Sequence, residues 1–166
     1  MKLVRFGEKG QERAGILHNS QQIYDISSFI ADWNRYTLSQ TSLSALKKID
    51  LNHFPLVSNV RIGPCLGHIG KLICIGLNSK QHVKEMGLTL PENDIVFFMK
   101  ATSAIHGPYD AIVYPRLAKK VDWEAEVALV VGKTCKYVSE EEAKECILGI
   151  TCMNDISDRY WQFEKA

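Results

Sequence analysis

The stretch Asp122 to Val131, Asp-Trp-Glu-Ala-Glu-Val-Ala-Leu-Val-Val, alternates in a way that few local structures accommodate. Glu124 and Glu126 fall on one side and Trp123, Ala125, Val127 and Leu129 on the other, which is the period of a β-strand. On a helix, residues two apart point to different sides and the two carboxylates could not share a ligand. On a strand their side chains stand about 7 Å apart at the base and can bend toward one ion. The carboxylate side turns apolar at Ala128 and Val130, so the acidic pair sits at one end of an otherwise buried-looking strand. Two ionised carboxylates buried there need a partner to offset their lost hydration. The alternative is an edge strand whose Glu-x-Glu side faces water, and the strand by itself leaves both readings open.

A chain of 166 residues can bury a core and hold one domain with a small appendage. Lys and Arg number 20 and Asp and Glu 19, with no basic block, which argues against a nucleic-acid partner held by backbone electrostatics. No apolar run is long enough to span a bilayer and no signal-peptide core follows Met1, so a cytoplasmic location with no membrane partner is expected. The five cysteines include no Cys-x-x-Cys pair, against both a disulfide framework and a thiolate zinc site. Cys74, Cys146 and Cys152 lie among Ile, Leu and Met and read as small buried hydrophobes.

In order along the chain, residues 1–60 read as a small β-rich domain, with short apolar pieces at Lys2–Phe6, Gly15–His18 and Gln22–Ile26. Weak helical periodicity follows at Ser27–Trp33 and Ser42–Ile49. Residues 61–70, rich in Gly and Pro, are the expected linker, and a second unit spans 71–166. There Lys71–Leu77 is an apolar run fit for a buried strand, and Asn78–Gln81 caps a short turn carrying His82 and Glu85 and ending at Gly87. Spacing of three puts His82 and Glu85 on one face, as a surface ion pair or as a base oriented by a carboxylate. Ile95–Lys100 is strand-like, His106 sits in a turn-rich loop, and Ser139 with Glu142 forms a capping box that starts a helix, with Glu140 able to pair with Lys144. A last strand-like run, Gly149–Ser157, carries Asp155.

Four ordered segments carry a family resemblance: Ile75-Gly-Leu-Asn-Ser-Lys-Gln-His-Val-Lys-Glu-Met-Gly87, Phe97-Phe-Met-Lys-Ala-Thr-Ser-Ala104, Val121-Asp-Trp-Glu-Ala-Glu-Val127 and Asn154-Asp-Ile-Ser-Asp-Arg159. In order and spacing they resemble the fumarylacetoacetate hydrolase family, over about 71–162. The resemblance implies a mainly β fold with short helices (α+β). A small N-terminal β domain would be followed by part of a rolled mixed-sheet catalytic domain lacking its C-terminal portion. It further implies a divalent cation, Mg2+ or Mn2+ with Ca2+ as a third option, held by Glu124, Glu126 and Asp155; hard oxygen donors suit such an ion. The family's catalytic dyad falls on His82 and Glu85, and Lys100 and Ser103 are carried over as substrate-binding residues. The implied reaction is hydrolysis of a C–C bond in an acylpyruvate or related 2-oxo acid, with a homodimer as the expected assembly. Isomerase, decarboxylase or hydratase chemistry on the same scaffold is the alternative, as is a truncated, non-catalytic metal-binding or oligomerising remnant. Asp158 departs from the family's usual Ala.

Overall fold

The computed structural model describes residues 1–85, 87, 89 and 95–165. Its first part is an antiparallel meander of β1 (Leu3–Phe6), β2 (Arg13–Leu17), β3 (Gln22–Asp25) and β4 (Leu56–Ser58), adjacent in that order. Turn chemistry sets the hairpins. Gly7 and Gly10 take positive φ between β1 and β2, and the Asn19 side chain accepts from the Gln21 and Gln22 amides between β2 and β3.

Between β3 and β4 the chain folds over one face of this sheet. Ile26, Trp33 and Leu46 pack there against Ala14 and Ile16 of β2 and form the core, with Trp33 fully buried. The helix expected at Ser27–Trp33 does not form. The Asp25 side chain accepts from both the amide and the hydroxyl of Ser27 and bends the chain into a turn, a competition that short polar side chains win against helix. The second expected helix is α1 (Gln40–Leu46), which starts earlier than its apolar periodicity because Ser39 and Ser42 close a reciprocal capping box.

Residues 61–70 run back along the N-terminal unit. Gly7 N donates to Arg61 O (3.0 Å), Gly63 N to Arg5 O (2.8 Å) and Gly67 N to Trp33 O (2.8 Å). The Arg61 guanidinium reaches the N-terminal Glu12 (2.8 Å) and grips Asp110 of the second unit with two bonds of 2.8 and 2.6 Å. That grip, with the Gly107 amide donating to the same carboxylate, holds the Asp110 pKa down to about 2 from an ordinary value of 3.8. A depressed carboxyl contributes stability above its unfolded pKa and loses it as pH falls through the folded one. The Gly107 amide resonance should therefore shift on acidification with a midpoint near 2, the value to which the Asp110 pKa is lowered; a midpoint near 3.8 would mean that the grip does not exist in solution.

The second unit contains β5 (Leu72–Gly76), α2 (Lys80–Glu85), β6 (Val96–Lys100), β7 (Val121–Asp122), β8 (Ala125–Val131), α3 (Glu140–Glu145), β9 (Ile147–Asn154) and β10 (Ser157–Asp158). A π-helical turn at Tyr160–Glu164 follows. Three antiparallel ribbons result: β5–β6, β8–β9 and β7–β10. The alternating acidic stretch is thus not one strand but two. The Asp122 side chain takes the Trp123 amide (2.9 Å) and the Asn154 side chain takes the Glu124 amide (3.2 Å), so pairing passes from β10 to β9 across this break. The Ser139–Glu142 box caps α3 as its sequence signalled, while Lys144 pairs with Glu141 (2.7 Å) rather than Glu140. At the far end of β8 a bulge shifts the register, and Gly132 is required there because a Cβ would run into Leu148.

The ribbons leave their bulkier apolar faces open. Val127, Leu129, Val131 and Ile150 on β8–β9 are all more than half exposed, and Ile73, Ile75, Phe97 and Met99 form a second open patch on β5–β6. The opposite sides, carrying Glu126, Ala128 and Val130 on β8 and Leu72 and Cys74 on β5, are half-buried. Cys146 is buried as its neighbours suggested, whereas Cys152 lies on the open face of β9. Among the described residues no helix is long and apolar enough to cross a membrane.

Candidate functional site

The β8–β9 ladder pairs Glu126 with Met153 and Ala125 with Asn154. One step further, Asp155 N donates to Glu124 O (2.9 Å), so Glu124 stands opposite Asp155. Glu124 and Asp155 stand one step beyond the ends of β8 and β9, so the register brings both backbones close to Glu126 while the ladder itself fixes the face of Glu126 alone. Register alone brings residues some thirty positions apart into one neighbourhood.

Asp155 is the most enclosed of the three, with 4% of its surface exposed. The Lys100 ammonium, reaching over from β6, makes an ion pair with Asp155 Oδ1 and donates to Ile156 O (3.0 Å) and Ser157 Oγ (3.4 Å). Asp155 Oδ1 is thus a buried oxygen whose partner is the Lys100 ammonium. Cys74 of β5 completes this cluster. Burial pushes its thiol pKa up, and the negative charges of Asp155 and Glu126 add to the rise, so Cys74 is a protonated filler rather than a thiolate.

Glu124 is held differently. Arg159 NH1 contacts Glu124 Oε1 at 2.6 Å while Nε and NH2 donate to Asp122 Oδ2 at 3.0 and 2.9 Å. Those bonds, with the Trp123 amide, keep the Asp122 carboxyl below its ordinary range. Among the described residues the Glu126 carboxylate makes neither an ion pair nor a hydrogen bond. Asp158, at the position where the family resemblance expects Ala, accepts from the Lys119, Lys120 and Tyr160 amides, each at 3.0 Å. It thereby fixes the loop on which Arg159 is mounted. Neither Arg159 nor Ser157 stands out in the sequence: the pairing of β7 with β10 that brings Arg159 to Asp122 depends on a contact 37 residues long.

The other expected residues are more dispersed. His82 and Glu85 both lie on α2, whose start is set by Val83 N donating to Ser79 O (3.0 Å), with Gly87 at positive φ just beyond its end. The His82 side chain lies outside the described residues. Glu85 is exposed and accepts from Gln81 Nε2 (3.0 Å). Ser103 is exposed in a 3-10 turn, Thr102–Ala104. Lys100 lines an open depression of about 480 Å³, together with Phe98, Ala104, Ile156, Ser157 and Gln162.

The profile of the family described as Fumarylacetoacetate (FAA) hydrolase C-terminal matches residues 71–166. The chain belongs to the fumarylacetoacetate hydrolase family. A Burkholderia lata relative, named as a presumed hydrolase, is 45% identical over 167 residues. The match takes in 100% of this chain and 59% of the relative, so the chain spans about three fifths of the length of the curated relatives it matches. The fumarylacetoacetate hydrolase of Exiguobacterium antarcticum superposes with a TM-score of 0.75 at 30% identity, over 99% of this chain and 59% of that one. A 5-carboxymethyl-2-hydroxymuconate delta-isomerase from Mycobacterium smegmatis gives 0.68 at 28% identity, over 99% and 57%. The maleylpyruvate hydrolase of Sphingobium sp. SYK-6, solved with manganese(II) and pyruvate, gives 0.72 at 24% identity, over 96% and 60%, and shares the fold. The mainly β architecture with short helices is thus that of a partial fumarylacetoacetate hydrolase fold, and the solved proteins that share it include hydrolases and an isomerase.

The donor set fits a divalent cation. Three carboxylates near the end of the β8–β9 ladder supply hard oxygens, and the buried Asp155 Oδ1 has an ammonium against it where a cation would sit. Among the described residues no three His, Cys, Asp or Glu side chains are drawn into a cluster. The physical reason is at the same end of the ladder: Lys100 neutralises Asp155 and Arg159 neutralises Glu124. Three carboxylates about 5 Å apart would otherwise repel by about 3 kcal/mol per pair at an effective dielectric near 20.

Proposed function

We propose that this chain carries the metal-holding portion of a divalent-cation-dependent enzyme acting on a C–C bond of an acylpyruvate or related 2-oxo acid. Glu124, Glu126 and Asp155 would hold Mg2+ or Mn2+. The observation that carries this reading is the end of the β8–β9 ladder, where the buried Asp155 oxygen faces the Lys100 ammonium and Glu126, among the described residues, has neither an ion pair nor a hydrogen bond. The manganese and pyruvate bound by the maleylpyruvate hydrolase of the same fold support it.

The bound cation would supply Lewis acidity toward the oxo oxygens of the substrate. The chain's own residues do the rest. His82, on α2 after the apolar β5 run, takes a proton from water or substrate, and Glu85 turns from Gln81 to orient the imidazole. Lys100 borders the depression into which the substrate's carboxylate would enter, and Ser103 stands in the 3-10 turn beside it. Likeness to a delta-isomerase favours a second reading, in which the same base moves a proton between carbons and no bond to carbon is hydrolysed.

Glu126→Gln is the direct test, because the wild-type carboxylate has no partner among the described residues and its loss leaves the ladder intact. Isothermal titration with Mn2+ should show binding weakened about 100-fold, equivalent to about 2.7 kcal/mol. Indistinguishable titrations would remove the site. Product analysis on an acylpyruvate then separates cleavage from isomerisation, and loss of turnover in His82→Ala with Mn2+ affinity retained would assign the base.

A further inference from the structure

Charge balance at the ladder points to how a cation enters it. Asp155 and Glu126 together carry two negative charges, and Lys100 supplies one positive charge to Asp155 alone. The lysine is not an incidental neighbour. It comes from β6, on the other ribbon, and its ammonium is fixed by Asp155 Oδ1, Ile156 O and Ser157 Oγ. A carboxylate 4% exposed has lost most of its hydration, and the Lys100 ammonium stands against it in place of water. The ammonium itself is only partly enclosed, its side chain retaining 24% of its surface, and it borders the open depression. It can therefore leave for water by side-chain rotation, without moving β6.

Resting on the metal-holding reading above, we infer that Lys100 is a built-in counter-ion that a divalent cation must displace from Asp155. Metal uptake is then an exchange: the ammonium holds the carboxylate in place while no metal is bound, and swings into the depression when one arrives. The resting pair keeps the two ribbons joined and lowers the affinity of the site, which makes occupancy respond to the metal concentration.

Lys100→Met removes the competitor and should tighten Mn2+ binding by at least about tenfold, because a charge-assisted interaction of this kind typically exceeds the tenfold equivalent. Lys100→Arg keeps a cation and should stay near wild-type affinity. Both are read by isothermal titration of the whole chain, with circular dichroism reporting the fold. A second measurement needs no variant: the acetylation rate of Lys100 in the wild-type chain, followed by peptide mass spectrometry, should rise when Mn2+ is added. Equal or weaker Mn2+ binding by a folded Lys100→Met, or an acetylation rate unmoved by bound Mn2+, overturns the exchange while leaving the metal site standing. Absence of Mn2+ binding to wild type and Lys100→Met alike overturns the metal-holding reading and the exchange with it.

Discussion

Asp155→Ala should lower Mn2+ affinity at least about 100-fold, or about 2.7 kcal/mol, and should also destabilise the metal-free chain. Two separate consequences share one cause. Asp155 is the one site carboxylate that is almost wholly enclosed, and it is also the acceptor that ties Lys100 of β6 to the end of β9. Without it the Lys100 ammonium keeps Ile156 O and Ser157 Oγ but loses its counter-charge. Loss of one charge-assisted contact of this type costs about 2–3 kcal/mol. In a chain of this length that corresponds to a fall in melting temperature of about 4–12 °C. Asp155→Asn separates the two effects, since it keeps the shape and the hydrogen-bonding capacity while removing the charge that a cation needs. Mn2+ binding by Asp155→Ala within about threefold of wild type would take Asp155 out of the site.

Trp33→Ala should cost about 3–5 kcal/mol, the range for deleting a large buried aromatic side chain. Trp33 sits at the centre of the N-terminal core, fully enclosed among Ala14, Ile16, Ile26 and Leu46, and its indole N–H donates to Gly15 O at 3.1 Å. The truncation leaves a cavity and removes the indole's hydrogen bond to Gly15 O. With a denaturant slope near 2 kcal/mol per molar, the urea midpoint of the β1–β4 unit falls by about 2 M. Far-ultraviolet circular dichroism is the suitable probe, because it does not depend on the residue removed. A midpoint shift under about 0.3 M would show that the core is organised around something other than this ring.

Much of the local structure is legible in the residues themselves. Gly7, Gly10 and Asn19 mark the turns of the meander, Ser139 and Glu142 mark the start of α3, and the alternation from Ala125 to Val131 marks strand. These signals are legible because each is set by contacts within a few residues. The turn at Asp25–Ser27 was open to reading as helix because weak apolar periodicity there competes with a side chain that caps its own neighbour. The break between β7 and β8 is illegible for a different reason: it exists because Asn154, thirty positions away, captures the Glu124 amide. The position of Asp155 in a site with Glu126 came from likeness of motifs to a family, since nothing in the spacing of 29 residues between them implies proximity.

The sequence by itself determined the strand period from Ala125 to Val131, the capped start of α3 and, through four motifs, the family. Only the tertiary structure decided which charges meet. It placed Lys100 on Asp155 and Arg159 on Glu124, gave Glu126 no ion pair among the described residues, and turned Val127, Leu129 and Ile150 outward. The physical reason is range. Backbone conformation and capping respond to neighbours along the chain, whereas ion pairing and burial depend on strand register, and register is fixed by the pairing of segments that the sequence holds far apart.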